Sequence, residues 1–131
     1  MATINQEIEI ERSKEFVWDA IRDVGAIHQR LVPGFVLDCR LEGDWRTVTF
    51  ANGMVVRELI VSVDDETCRH SWSARGGTLN HHNASVQVFA EGDDRTRVIW
   101  IADLMPNEAA GAISEMIGQA LKTMKQTLER S

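Results

Sequence analysis

His70, Trp72, His82 and Trp100 are the side chains whose types and spacing could do chemistry together. Even numbering along Cys68 to Ala74 puts His70, Trp72 and Ala74 on one face of a strand. Along Leu79 to Glu91, Val86, Val88 and Ala90 mark the apolar face, so Asn80, His82 and Ala84 share it. Val98, Trp100, Ala102 and Leu104 do the same on the last strand. Two imidazoles and two indoles on one buried face make a semi-polar lining, and mostly apolar pockets with a few aimed polar groups hold small organic ligands. The plain alternative is core packing, with the polar atoms satisfied by backbone or water.

Glu58 is the carboxylate that could join them. An unpaired carboxyl drawn into apolar surroundings holds its proton more tightly, which suits a general base. With His70 or His82 sharing the proton, such a group could take a proton alpha to a carbonyl, as aldol cyclisation or dehydration requires. Glu58 could equally pair with Arg57, Arg46 or a backbone amide, or face water. Its strand leaves the facing open: Val56, Glu58 and Ile60 form one set, Arg57, Leu59, Val61 and Val63 the other.

Other chemistry finds less support. His81 and His82 are adjacent on a strand and point to opposite faces, so they cannot ligate one metal ion in regular geometry. Gly76-Gly77 lacks the strand-and-helix context of a phosphate loop. No Gly-x-Ser-x-Gly or Cys/His arrangement suggests a nucleophile. Cys39 and Cys68 lack metal-ligand spacing and read as thiols, with one disulfide left open. No cofactor is implied.

A chain of 131 residues, 44% hydrophobic and 26% charged, suits one globular domain over 1–131. A net charge of -6 argues against nucleic acid and against anionic lipid surfaces. Met1 to Glu11 carries Glu7 and Glu9 where a secretory signal needs an apolar core, and no run reaches the ~18 apolar residues of a membrane span. The expectation is a cytoplasmic protein without stable membrane insertion.

The elements that must position these groups follow from periodicity. Ile4, Ile8 and Ile10 alternate with polar residues as in a half-buried strand. Ser13 is set to cap a helix carrying Phe16, Val17, Ala20, Ile21 and Val24 and closed by Gly25. A short helix over Ala26 to Leu31 precedes Pro33-Gly34. Strands follow over Val36 to Leu41, Trp45 to Phe50, Met54 to Val63, Cys68 to Ala74, Leu79 to Glu91 and Thr96 to Leu104, with an Asn52-Gly53 hairpin signal after the second. After Pro106, Asn107 is set to cap a helix with Ala109, Ile113, Met116, Ile117, Ala120, Leu121, Met124 and Leu128 on one face. Met116 and Met124 read most simply as core, though methionine suits a pliable wall. A seven-strand antiparallel meander must curl and bury one face, and only this last helix is long enough to fill the hollow.

The run Trp45-Arg46-Thr47-Val48-Thr49-Phe50-Ala51-Asn52-Gly53, then Val56-Arg57-Glu58-Leu59-Ile60 and Asp64-Asp65, resembles the Bet v 1-like/START helix-grip superfamily (SRPBCC). It is most similar to the polyketide cyclase/dehydrase and lipid-transport branch, with Phe16-Val17-Trp18 and Thr96-Arg97-Val98-Ile99-Trp100 in support. The resemblance implies an α+β fold: a curved seven-stranded antiparallel sheet around a long C-terminal helix, with two short helices after the first strand. It implies a cavity between sheet and helix, with Glu58 facing it and Arg46 structural. His82 falls where the family usually carries an aromatic residue, and this chain has no tyrosine.

The candidate ligand-binding set is Glu58, His70, Trp72, His82 and Trp100 from the sheet, with Ile117 and Leu121 from the helix. Glu58, His70 and His82 are the candidate catalytic groups. Three readings stand: a binder of a small hydrophobic molecule such as a lipid, polyketide or isoprenoid; a cyclase/dehydrase-type enzyme; or a homodimer with a vestigial pocket, joined through the outward Ile99 and Ile101.

Overall fold

The computed structural model describes residues 1–76 and 79–131. Its order is β1 (Ala2–Ile10), α1 (Lys14–Arg22), α2 (Ile27–Arg30), β2 (Val36–Glu42), β3 (Trp45–Phe50), β4 (Val55–Asp64), β5 (Arg69–Arg75), β6 (His81–Gly92), β7 (Arg95–Met105) and α3 (Ala110–Arg130). All seven strands pair antiparallel in the order β1-β7-β6-β5-β4-β3-β2. This is the helix-grip arrangement, an α+β fold whose last helix lies in the hollow of the sheet.

Local chemistry explains most boundaries. Ser13 caps α1, its Oγ accepting from Phe16 N–H at 3.2 Å. The helix stops at Arg22 rather than at Gly25, because Val24 N–H turns back to the Arg22 carbonyl. The second helix is shorter than expected, one turn over Ile27–Arg30. Asn107 does not cap α3. It opens a single 3-10 turn, Asn107–Ala109, and Ala109 precedes the helix with no side-chain cap. The β3–β4 hairpin turns through residues 51–53, one more than a two-residue Asn-Gly turn, with Gly53 at φ +92. Of the expected Gly76-Gly77 turn, Gly77 lies outside the described residues.

Alternation sets the facing, and bulges reset it. His82, Ala84, Val86 and Val88 are buried as expected, while Asn80 and Ala90 sit at the sheet's ends and are exposed. In β4 the register slips between Ile60 and Ser62, so Ile60 pairs with inward Trp72 and Val63 with inward His70. That bulge explains why neither apolar set in β4 looked complete. Leu59 and Val61 face outward, Val61 54% exposed.

The helix α3 is fastened along one edge of the sheet. Gln6 Nε2 donates to the Ser114 carbonyl at 2.7 Å, Lys125 Nζ to the Glu9 carbonyl at 2.8 Å, and Glu11 N–H to Glu129 Oε2 at 2.8 Å. No comparable row ties it to β2, β3 or β4 among the described residues. Nor is any described helix long and apolar enough to cross a membrane. The cysteines are free and buried apart: Cys39 Sγ faces the Val24 carbonyl, Cys68 Sγ the Asp65 carbonyl.

Candidate functional site

Between α3 and strands β3 to β6 lies a cavity of about 330 Å³. The sheet contributes Val48, Val56, Glu58, His70, Trp72, His82 and Trp100 to its wall. From α3 come Ile113, Met116, Ile117, Ala120 and Met124, and from the α1–β2 region Ile21, Ile27, Leu31 and Phe35. Of the seven predicted binding residues, six border this space. Leu121 does not. It is buried, but at about 100° per residue it lies past Ile117 on the flank of α3, outside the sector centred on Ala120 that meets the cavity.

Glu58 faces inward, and it does not stand alone. Arg46 Nε donates to Glu58 Oε1 at 2.8 Å, and both residues are buried, at 4% and 7% exposure. Cross-strand pairing of Arg46 with Glu58 makes the contact, since residues opposite one another share a face. Arg46 Nη1 also donates to the Val24 carbonyl at 3.0 Å, tying the sheet to the loop after α1. Its guanidinium lies 5.6 Å from the Trp72 ring centre, within reach of the ring's electron-rich face. Of the partners open to Glu58 in the sequence, the structure takes Arg46, so the carboxylate is half of a buried ion pair rather than an unpaired base. Arg46, read as structural, also borders the cavity. Strand alternation separates it from Arg57: Arg46 shares the face of Val48, whereas Arg57 adjoins inward Glu58 and so points outward, where its side chain lies over Trp45.

The two inward histidines are held in opposite tautomers. His70 Nδ1 is 3.1 Å from the Ser62 carbonyl, an oxygen that can only accept, so Nδ1 carries the proton and Nε2 a lone pair. His82 Nδ1 accepts the Ala74 N–H at 2.9 Å, so its proton sits on Nε2. The β5–β6 ladder pairs residues 69–72 with 84–87, and beyond it the His82 imidazole takes the place of a strand partner. Ser73 Oγ, donating to the His82 carbonyl, completes the link. Burial, aided by the Arg46 charge, pushes His70 down to about 4 against the pull of the Ser62 hydrogen bond. Burial does the same for His82, also to about 4, with His81 and Arg75 adding to it. Both rings are therefore neutral at pH 7.

Aromatic packing fixes this wall. His70 stacks on Trp72 with ring centres 4.9 Å apart and planes at 23°. Trp72 in turn meets Trp100 edge-on at 5.3 Å, one of the arrangements that aromatic pairs prefer. His81 is exposed on the outer face, opposite to His82. Among the described residues no group of three or more metal-ligating side chains converges. A wider cleft of about 750 Å³ opens between α3 and residues 33–35, but Gln119, Lys122, Thr123, Gln126, Thr127 and Arg130 line it and it is open to solvent. The smaller cavity, more sheltered and lined mainly by apolar side chains, is the better site.

Comparison with known proteins agrees with this fold. A family model described as polyketide cyclase/dehydrase and lipid transport matches residues 1–130. No protein of curated function matches the chain in sequence. Among solved structures, the protein XoxI from Bacillus cereus superposes with a TM-score of 0.88 at 20% identity, covering 98% of this chain and 96% of that one. The di-domain ARO/CYC BexL from the BE-7585A biosynthetic pathway gives 0.86 at 12%, covering 98% of this chain and 47% of its own. A START superfamily protein from Mycobacterium smegmatis gives 0.75 at 11%, covering 98% and 94%. At these identities the likeness is one of fold.

Proposed function

Since the chain belongs to the polyketide cyclase/dehydrase and lipid-transport family, we propose that it binds a small, mostly apolar molecule in the cavity between sheet and α3. The observation that carries this reading is the cavity itself: about 330 Å³, walled mainly by aliphatic and aromatic side chains, with Arg46, Glu58, His70 and His82 as its polar groups. Its volume is at the lower end of pockets that enclose small organic ligands. The net charge of -6 leaves nucleic acid an unsuitable partner.

Trp72 and Trp100 border the cavity and report on what enters it. Titration with a panel of neutral apolar probes is expected to quench tryptophan fluorescence. Val56→Phe, which fills part of the space from a half-buried position on β4, is expected to weaken that binding while circular dichroism stays unchanged. Equal affinity in wild type and Val56→Phe, or none in either, would overturn the proposal.

His70 favours a second reading, an acid–base enzyme of the cyclase/dehydrase kind. Its Nε2 holds a lone pair and could take the acidic proton from a carbon flanked by two carbonyls, the carbon's electron pair moving to a carbonyl oxygen as an enolate; the basicity that burial removes from the ring confines the step to protons so activated. Glu58, with Oε1 on Arg46, would then orient substrate rather than act as the base. Turnover of a poly-β-ketone substrate that is lost in His70→Phe and kept in Glu58→Gln supports this assignment. The opposite pattern makes Glu58 the base.

A further inference from the structure

We propose that the molecule held in the cavity carries a hydroxyl or another O–H or N–H donor, which it gives to His70 Nε2. This rests on the reading that the cavity binds a small apolar molecule, and it specifies that molecule's chemistry. The Ser62 carbonyl claims the proton on Nδ1, leaving Nε2 with a lone pair. Nε2 is buried and without a hydrogen-bond partner among the described residues. His70 as a whole is 3% exposed and borders the cavity.

The ring cannot swing away to find a donor elsewhere. It is stacked on Trp72 on one side and tied to Ser62 on the other. Burial and the neighbouring Arg46 hold it neutral, so it stays an acceptor through the neutral pH range. His82 offers no equivalent acceptor, because Ala74 N–H already occupies its Nδ1. A buried acceptor left unpaired is costly, and a ligand donor restores the missing bond. Glu58 takes the Arg46 charge at 2.8 Å and the histidines are neutral. The wall therefore carries no net charge and suits a neutral ligand.

Matched probes test this. 1-Naphthol and 1-methoxynaphthalene present similar apolar surfaces, but only the first can donate a hydrogen bond. By isothermal titration calorimetry near neutral pH, the wild-type protein is expected to bind 1-naphthol about tenfold more tightly, the size of one hydrogen bond to an otherwise unpaired acceptor. In His70→Phe, which keeps an aromatic ring on Trp72, that preference is expected to vanish, the ratio of the two probes' affinities falling to within about twofold of one whatever the variant does to either affinity alone. His70→Leu serves the same comparison if the phenylalanine variant does not fold. Equal affinities for the two probes in wild type, or a preference that survives loss of the imidazole, would overturn the inference and leave the cavity reading standing. Failure of both probes to bind the wild type would remove both.

Discussion

The two halves of the concave face are filled differently. Under β1, β7 and the far end of β6, Ile4, Ile10, Val88, Val98, Ala102 and Leu104 are all buried, with no ionisable group among them. Here α3 is bonded to β1 and its end through Gln6, Glu9 and Glu11. Under β3 to β5 the same helix has no such fastening among the described residues, and Met116 and Ala120 face Glu58, His70 and Trp72 across open space. A helix laid along one edge of a curling sheet fills only that edge. On the other, the gap exceeds what side chains span, and polar groups tolerate that boundary better than an apolar core would.

Breaking the polar half at its ion pair should have the largest effect. Arg46→Met leaves Glu58 buried without its partner and is expected to cost about 3–5 kcal/mol in urea denaturation, most of it recovered in the Arg46→Met/Glu58→Leu double variant. A loss under about 1 kcal/mol would mean that the pair is wetter than its burial suggests.

In the filled half, Leu104→Ala should cost about 3 kcal/mol, the usual penalty for emptying a closed core site. Leu104 has no exposed surface, so nothing can relax into the space without disturbing its neighbours.

Acid sharpens the contrast, because the buried histidines belong to the hollow half. Each imidazole binds its proton less tightly in the fold, at about 4, than in the unfolded chain, at about 6.5. Below about 6.5 the unfolded state takes up protons that the native state refuses, so stability falls with pH until about 4 and no further from this source. At pH 5 the loss from His70 should be roughly 2 kcal/mol, and His70→Phe should flatten the stability–pH curve by that amount. A curve unchanged by that substitution would show His70 to be more hydrated than its packing indicates.

The smallest effect belongs to the cavity wall. Met116 already borders a void, so Met116→Ala enlarges an existing space and should cost only about 1 kcal/mol, well under the Leu104→Ala value. Equal penalties at the two positions would mean that the hollow is in fact packed.

Much of the architecture could be read along the chain. The alternation of Ile4, Ile8 and Ile10, the Ser13 cap, the even-numbered apolar set of β6 and the long stripe of α3 each follow from local periodicity. So did the inward facing of His70, Trp72 and His82, because strand alternation needs no knowledge of the partner strand.

Tertiary structure alone decided what those groups meet. Arg46 and Glu58 are 12 positions apart, and only the β3–β4 register makes them opposite one another. The bulge after Ile60 is a property of two strands, invisible in either. Each histidine's tautomer depends on a backbone group eight residues away, Ser62 for His70 and Ala74 for His82. Ile117 and Leu121 are one helical turn apart, yet only the first reaches the cavity, because the seating of α3 against β1 sets which part of its apolar stripe looks into the gap. Periodicity assigns a side chain to a face, and the packing of that face against its neighbour decides whether it meets protein or space.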